Sequence, residues 1–341
     1  MSATQDKKEG AGKAAAKKIN MLQGINMGLA EAMEQDEKVF LIGEDIADDQ
    51  GGGVFQATKG LSARFGEMRV RSTPISEQAI MGVAVGAAIV GYRPVAEIML
   101  MNFLTIGMDM LVNHAAKLRF MSGGQTNVPL VVRCATGSGI GNGGQHSDHY
   151  EAWFAHTSGM KVVSPSNPAE AMGLIHASIF DDDPVLFVES IPLYYQMGEA
   201  PPPGHRVPLG KANIARPGSD VTLIGYGRSV NDLHKAAAAL AKEGVEAEVI
   251  DLRTVAPFDA DTILNSVGKT KRAVIVHEGA TPFGVGAEIA SRIHEELFGE
   301  LKAPVQRIGS NFQPVPFSKP LEVDYLYSQP EILAAVRKTL G

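Results

Sequence analysis

Cysteine is almost missing: Cys134 is the single one in 341 residues. A lone thiol excludes an internal disulfide and suits a reducing compartment. It lies at the end of the apolar run 128–132, so it reads as a buried strand-end thiol rather than a nucleophile. Positive charge is short as well, with 31 Lys and Arg against 38 Asp and Glu, a formal charge of -7. Without a basic surplus to neutralise phosphates, a nucleic-acid binder is excluded. No apolar run approaches membrane-spanning length. The richest, residues 75–90, is broken by Glu77, Gln78, Gly82 and Gly86. The opening stretch, 1–18, has no hydrophobic period, no signal-peptide core and no Arg. It reads as a disordered tail. Together these absences give an expectation of a cytoplasmic protein with neither nucleic-acid nor membrane partners.

What is present is length for two cores and a repeating alternation of short apolar runs with helical patterns. Val39–Ile42, Val95–Ile98, Val128–Val132, Lys161–Val163 and Pro184–Val188 read as strands. Segments 79–88, 103–121 and 168–180 read as helices between them. The Pro201-Pro202-Pro203-Gly204 stretch interrupts this pattern and reads as a linker. A second alternating unit follows, with strands at 221–224, 246–252 and 273–277 and helices at 229–242, 284–297 and 331–340. The expectation is an α/β chain of two doubly wound domains, 19–196 and 213–341, with a tail at 1–18 and a linker at 197–212.

Four segments carry chemistry. Glu77 sits where an extended run meets the very apolar helix 79–88. A carboxylate there can be an ordinary first-turn Glu favoured by the helix dipole, or an inward, partly dry acid suited to proton exchange. The Gly-rich loop 137–144 follows a strand. Its N–H groups could cradle a phosphate, but no helix starts directly after it, and a mobile loop shaping a site mouth fits better. Among nine histidines, His146 is the best acid/base candidate, on a loop beyond the carboxyl end of a strand. His146, His149 and His156 have a metal-like spacing without a matching carboxylate or Cys pattern, and His156 reads as a packed histidine. Finally, Asp181, Asp182 and Asp183 crowd the end of the helix 168–180, where the dipole opposes them. A solvated turn is the plain reading; a cation held by main-chain carbonyls and a carboxylate would relieve the conflict.

In order, these segments resemble a known family from about Ile19 to Leu340. The carriers include Leu41-Ile42-Gly43-Glu44-Asp45, Thr73-Pro74-Ile75-Ser76-Glu77, Gly91-Tyr92-Arg93-Pro94-Val95 and Gln145-His146-Ser147. Glu151-Ala152-Trp153-Phe154-Ala155-His156, Asp251-Leu252-Arg253-Thr254 and Gly284-Val285-Gly286-Ala287-Glu288-Ile289 add to them. The chain is similar to the beta subunit of the thiamine-diphosphate-dependent decarboxylase of 2-oxo acid dehydrogenase complexes, which act on pyruvate, branched-chain acids or acetoin. That family lies in the transketolase-like superfamily. The resemblance implies a transketolase-like pyrimidine-binding domain followed by a transketolase C-terminal-like domain.

It also implies roles. Glu77 would contact N1′ of the cofactor's aminopyrimidine, Phe103 would pack on that ring, and Ile75 and Met99 would line the same pocket. His146 would help bind substrate and deliver the acyl group to a lipoyl arm. Leu130, Ser178, Ile179, Asp181 and Asp183 would form a potassium site, mostly through backbone oxygens. The Gly-Asp-Gly motif that binds diphosphate and Mg²⁺ does not occur here, so those ligands are expected mainly on an alpha subunit, in an α2β2 assembly docked to a dihydrolipoyl acyltransferase core. Asp148 and His149 depart from the family pattern, with His149 able to share the role of His146. The substrate stays open among pyruvate, branched-chain acids and acetoin. Other readings are a split-chain carboligase without lipoyl transfer and a non-catalytic scaffold subunit.

Overall fold

The structure, a computed structural model, describes residues 17–341. The tail expected at 1–18 lies outside the described residues as far as residue 16, but Lys17 and Lys18 do not belong to it. Lys18–Asn20 (β1) pairs antiparallel with residues 197–199, and the Ala200 amide donates to the Lys17 carbonyl at 2.8 Å. Ile19, 2% exposed, anchors this short ribbon to the core.

In chain order there follow α1 (Met21–Gln35), β2 (Val39–Glu44), α2 (Leu61–Phe65), β3 (Val70–Thr73), α3 (Glu77–Ile89) and β4 (Arg93–Leu100). Next come α4 (Ala116–Met121), β5 (Val131–Thr136), α5 (Glu151–Ala155), β6 (Lys161–Val163), α6 (Pro168–Ile179), β7 (Val185–Ser190) and β8 (Met197–Glu199). The second unit contains β9 (Asn213–Arg216), β10 (Val221–Gly225), α7 (Arg228–Ala241), β11 (Ala247–Asp251), β12 (Thr254–Ala256) and α8 (Ala260–Thr270). It ends with β13 (Ala273–Ala280), α9 (Val285–Leu297), β14 (Gln306–Ser310), α10 (Lys319–Tyr325) and α11 (Gln329–Leu340).

Seven strands form the first sheet in the order β12-β6-β7-β5-β4-β2-β3, and five form the second, β14-β13-β10-β11-β9. Each is parallel except for one antiparallel edge strand, β12 and β9 respectively. The alternating pattern therefore yields the two doubly wound α/β sheets it predicts. One strand crosses the expected division: β12 comes late in the chain yet completes the first sheet beside β6. The core crosses too. A single cluster of buried apolar side chains runs from Ile80, Met81 and Val132 to Ile224, Ile250, Ile263 and Ile289.

Local signals explain the helices. Asn20 and Gln23 form a capping box that starts α1. At α6, Asn167 accepts from the Glu170 amide at 3.0 Å, and Pro168 occupies the first turn. The two helices touch through Gly24 and Gly28 of α1. A Cβ on Gly24 would come within 2.4 Å of the Pro168 carbonyl oxygen, so glycine is required for the approach. The single helix expected over 103–121 is broken instead into a 3-10 turn at Met101–Thr105, a π-helical turn at Met110–Ala115 and α4. Gly107 lies at the break and presses on the first turn of α3, where a Cβ would be 2.6 Å from Met81 Cγ and 3.3 Å from the Glu77 carbonyl oxygen. Among the described residues no helix is long and apolar enough to cross a membrane.

Candidate active site

Parallel strands β3, β2, β4 and β5 lie side by side, so their carboxyl ends share one edge, the edge where open α/β sheets bind ligands. Glu77 follows β3 and opens α3, and the 3-10 turn bearing Phe103 follows β4. The loop bearing His146 follows β5.

Glu77 is 7% exposed. Its carboxylate forms no hydrogen bond or ion pair among the described residues. Glu44, at the end of β2, was missed as a site residue. Its carboxyl is raised above its ordinary range by burial first and then by the charge of Glu77, with the Ser76 backbone amide acting the other way. The signal was present in Leu41-Ile42-Gly43-Glu44-Asp45, but the nearness of Glu44 to Glu77 depends on the pairing of β2 with β3. Ile75, two residues before Glu77, is 83% exposed. Met99 and Phe103 are half-buried.

The Phe103 and His146 rings meet edge to face, with centroids 5.5 Å apart. His146 Nδ1 lies 3.2 Å from the Asn142 carbonyl oxygen. With its proton on Nδ1 and given to that carbonyl, the ring keeps Nε2 as its basic nitrogen. On the other side of the loop, Asn102 Nδ2 donates to Asp148 at 2.8 Å, and the Tyr150 hydroxyl donates to the same oxygen at 2.8 Å.

His149, expected as able to share a role with His146, is placed apart from it. Its side chain is 7% exposed and lies between Glu151 and Glu278, at 3.6 and 3.5 Å. Burial alone would lower its pKa, but the two carboxylates override burial and hold it at about 10. Glu151 in turn is held at about 2: burial works upward, and the His149 charge and the Tyr226 hydroxyl outweigh it. His149 is thus held as a cation between Glu151 of the first unit and Glu278 of the second. His156, expected to be packed, is exposed. The described residues contain no group of three or more His, Cys, Asp or Glu that could hold a metal ion.

The acidic turn after α6 resolves differently from the expectation. The carbonyls of Ile179 and Asp181 do receive a cation, but it is the Arg93 guanidinium, whose Nη1 donates at 3.0 and 3.1 Å. Arg93 also lies over the Phe180 ring, 5.6 Å from its centroid. Lys161 Nζ donates to both Asp181 oxygens at 2.7 Å, and Arg119 donates to Asp183 at 2.7 Å. Ser178 Oγ donates to the Leu174 carbonyl, and the Leu130 carbonyl accepts from the Val185 amide, both in ordinary fold contacts. Leu130, Ser178, Ile179, Asp181 and Asp183 do gather at one turn. Its charge is balanced by the chain's own cations, so the donor set does not fit a potassium ion without displacing Arg93.

Cys134 is buried in β5, and burial pushes its thiol well above the ordinary value, which makes it inert as expected.

Comparison with known proteins gives a consistent picture. Residues 17–196 match the model of the transketolase pyrimidine binding domain, and residues 210–332 match that of the transketolase C-terminal domain. The acetoin:2,6-dichlorophenolindophenol oxidoreductase subunit beta of Cupriavidus necator is 42% identical over 333 residues, covering 95% of this chain and 98% of that one. Its counterpart in Bacillus subtilis is 42% identical, covering 96% and 98%. The human mitochondrial pyruvate dehydrogenase E1 component subunit beta is 43% identical over 332 residues, covering 96% and 92%. A split-gene transketolase, solved as an inactive beta4 tetramer, shares the fold with a TM-score of 0.76 at 22% identity, covering 94% of this chain and 98% of that one.

Proposed function

Because the chain belongs to the transketolase-like family of pyruvate and acetoin dehydrogenase beta subunits, we propose that it is the beta half of a thiamine-diphosphate-dependent decarboxylase that works only with an alpha subunit. The observation that carries this reading is Glu77: a buried carboxylate with uncommitted oxygens, at the sheet edge that also bears Phe103 and His146. Those residues fit an aminopyrimidine ring. Ile75, Met99 and Phe103 offer apolar surface, and Glu77 offers one acid.

When bound, thiamine diphosphate supplies the nucleophile and the electron sink for breaking the bond beside a carbonyl. Glu77 would hold and exchange a proton at N1′ of its aminopyrimidine. Glu44, whose carboxyl is raised by burial first and then by the charge of Glu77, lies near it at the same sheet edge. His146 would act at the mouth of the site. When an acyl group passes to a lipoyl disulfide, one sulfur leaves as a thiolate, and a protonated imidazole is suited to give it a proton near neutral pH. Diphosphate and Mg²⁺ would be held mainly by the alpha chain, in an α2β2 assembly. The substrate would be pyruvate, a related 2-oxo acid or acetoin, and the acyl acceptor a lipoyl domain on an acyltransferase core.

The test is Glu77→Gln in the assembled complex. Gln keeps size and hydrogen bonding but cannot exchange the proton. Hydrogen–deuterium exchange at cofactor C2 should slow on the order of a hundred-fold or more, with unfolding unchanged. An unaltered exchange rate would remove Glu77 from the mechanism.

A further inference from the structure

The Gly-rich loop binds anions, but they belong to its own chain. The Ser138 amide donates to Glu278 Oε1 at 2.8 Å, the Gly139 amide to Glu322 Oε1 at 2.5 Å and the Gly141 amide to Glu322 Oε2 at 2.9 Å. Gly139 and Gly141 have φ of +91° and +79°, the left-handed conformation that turns successive amides to one side. Arg228 Nη1 donates to the Ser138 carbonyl at 3.0 Å, which adds a cation to the same knot. Glu322 is 1% exposed and Glu278 5%. A carboxylate so buried is tolerated when it receives charge-assisted hydrogen bonds on both oxygens, as Glu322 does.

All three gripping side chains come from the second unit: Glu278 from β13, Glu322 from α10 and Arg228 from α7. The loop they grip leads directly to His146. Gly141 is held by Glu322, and the next residue, Asn142, offers the carbonyl that faces His146 Nδ1. The far end of the loop is fixed by Asn102, which donates to the Gly144 carbonyl at 3.1 Å. At the near end, Gly137 abuts Pro192 and Ile140 packs on the core, while the carboxylates of Glu278 and Glu322 and the Arg228 guanidinium supply the polar grip.

Resting on the role of His146 set out above, we propose that Glu322, assisted by Glu278 and Arg228, is a positioning residue: it holds the Gly-rich loop so that the Asn142 carbonyl sets the tautomer and aim of the His146 ring. The second unit thereby tunes the acyl-transfer step without touching the reacting atoms, while proton exchange at Glu77 is left alone.

The experiment compares wild type, Glu322→Gln and His146→Ala, each assembled with the alpha subunit. Gln replaces one acceptor oxygen with a donor and cannot take both amides. Two readouts are made: amide hydrogen exchange of residues 137–146, and turnover with either 2,6-dichlorophenolindophenol or a lipoyl domain as acceptor. Glu322→Gln should raise exchange in that segment about ten-fold or more. It should lower lipoyl-dependent turnover about ten-fold while lowering dye turnover less than about three-fold. If Glu322→Gln does not assemble, Arg228→Gln, at a less buried group, should show the same pattern more weakly. Unchanged exchange in 137–146, or equal losses with the two acceptors, overturns the proposal. His146→Ala separates this failure from failure of the parent reading. If it loses nothing with either acceptor, His146 itself has no role, and the exchange data still report whether Glu322 holds the loop.

Discussion

The face around Glu77 and the seam between the two units are built on opposite plans. At the seam, the buried charged groups find opposite charges within the chain. His149 sits between Glu151 and Glu278, the Tyr226 hydroxyl donates to Glu151 at 2.8 Å, and Glu322 caps the Gly-rich loop. Around Glu77 the groups are left open. Glu77 has no partner among the described residues, Ile75 is 83% exposed, and α3 turns Ala79, Val83, Gly86 and the adjoining Val90 outward. Those positions recur at helical spacing, so they form one apolar stripe. Helix α7 shows the ordinary arrangement, with Val230, Leu233, Ala237 and Leu240 buried and Lys235 at the surface. A buried charge without a partner and an exposed apolar stripe are both costly in a free chain. The unpartnered Glu77 and the α3 stripe lie together on one face, which marks that face as one completed by another chain.

The comparison can be broken at either end. The largest effect is expected at the seam. His149→Leu removes the cation between two buried carboxylates and should destabilise the chain by about 3–5 kcal/mol in denaturant unfolding. A loss within about 0.5 kcal/mol, the ordinary range for a surface change, would mean that the seam is not held by charge. On the face the expected pattern is reversed. Val83→Glu, at a site 54% exposed, should leave the stability of the free chain within about 0.5 kcal/mol. Its affinity for the alpha subunit should fall about 100-fold, because a charge is placed in an apolar contact. Sedimentation of the mixed subunits reads this directly, and unchanged assembly would show that α3 is not the contact.

A smaller effect sharpens the comparison by pH. The folded-state pKa of His149 is raised from 6.5 to about 10. Its contribution is therefore complete below pH 6.5 and is lost as pH rises toward 10. Glu151 is lowered from 4.5 to about 2, so its contribution is complete above pH 4.5 and is lost as pH falls through 2. The stability gap between wild type and His149→Leu should be widest between these limits and shrink by at least about 1 kcal/mol toward pH 10. A gap that grows with pH would contradict the sign.

Much of the face was legible in the sequence, and little of the seam. Glu77 at the mouth of α3 follows from an extended run meeting an apolar helix, and the carboxyl-edge loop of His146 from the order of strands. The breaks came where partners lie far along the chain. Glu322 is 181 residues from Gly141, so a loop read as a mobile mouth is in fact gripped by the second unit. The cation expected over the α6 carbonyls is present, but as Arg93, which is 86 residues from Ile179. His149 reads as a spare acid/base group until Glu278 is brought beside it. Strand β12 was invisible because three residues carry no period of their own. Helix α1 went unread although Asn20 and Gln23 announce it locally.

The central claim, that the open face is half of a site, is tested most directly by calorimetry. Thiamine diphosphate with Mg²⁺ is titrated into this chain alone, into its alpha partner alone and into the two mixed. Tight, Mg²⁺-dependent binding should appear in the mixture, with only weak binding to this chain by itself. Tight Mg²⁺-dependent binding to this chain alone would contradict the account.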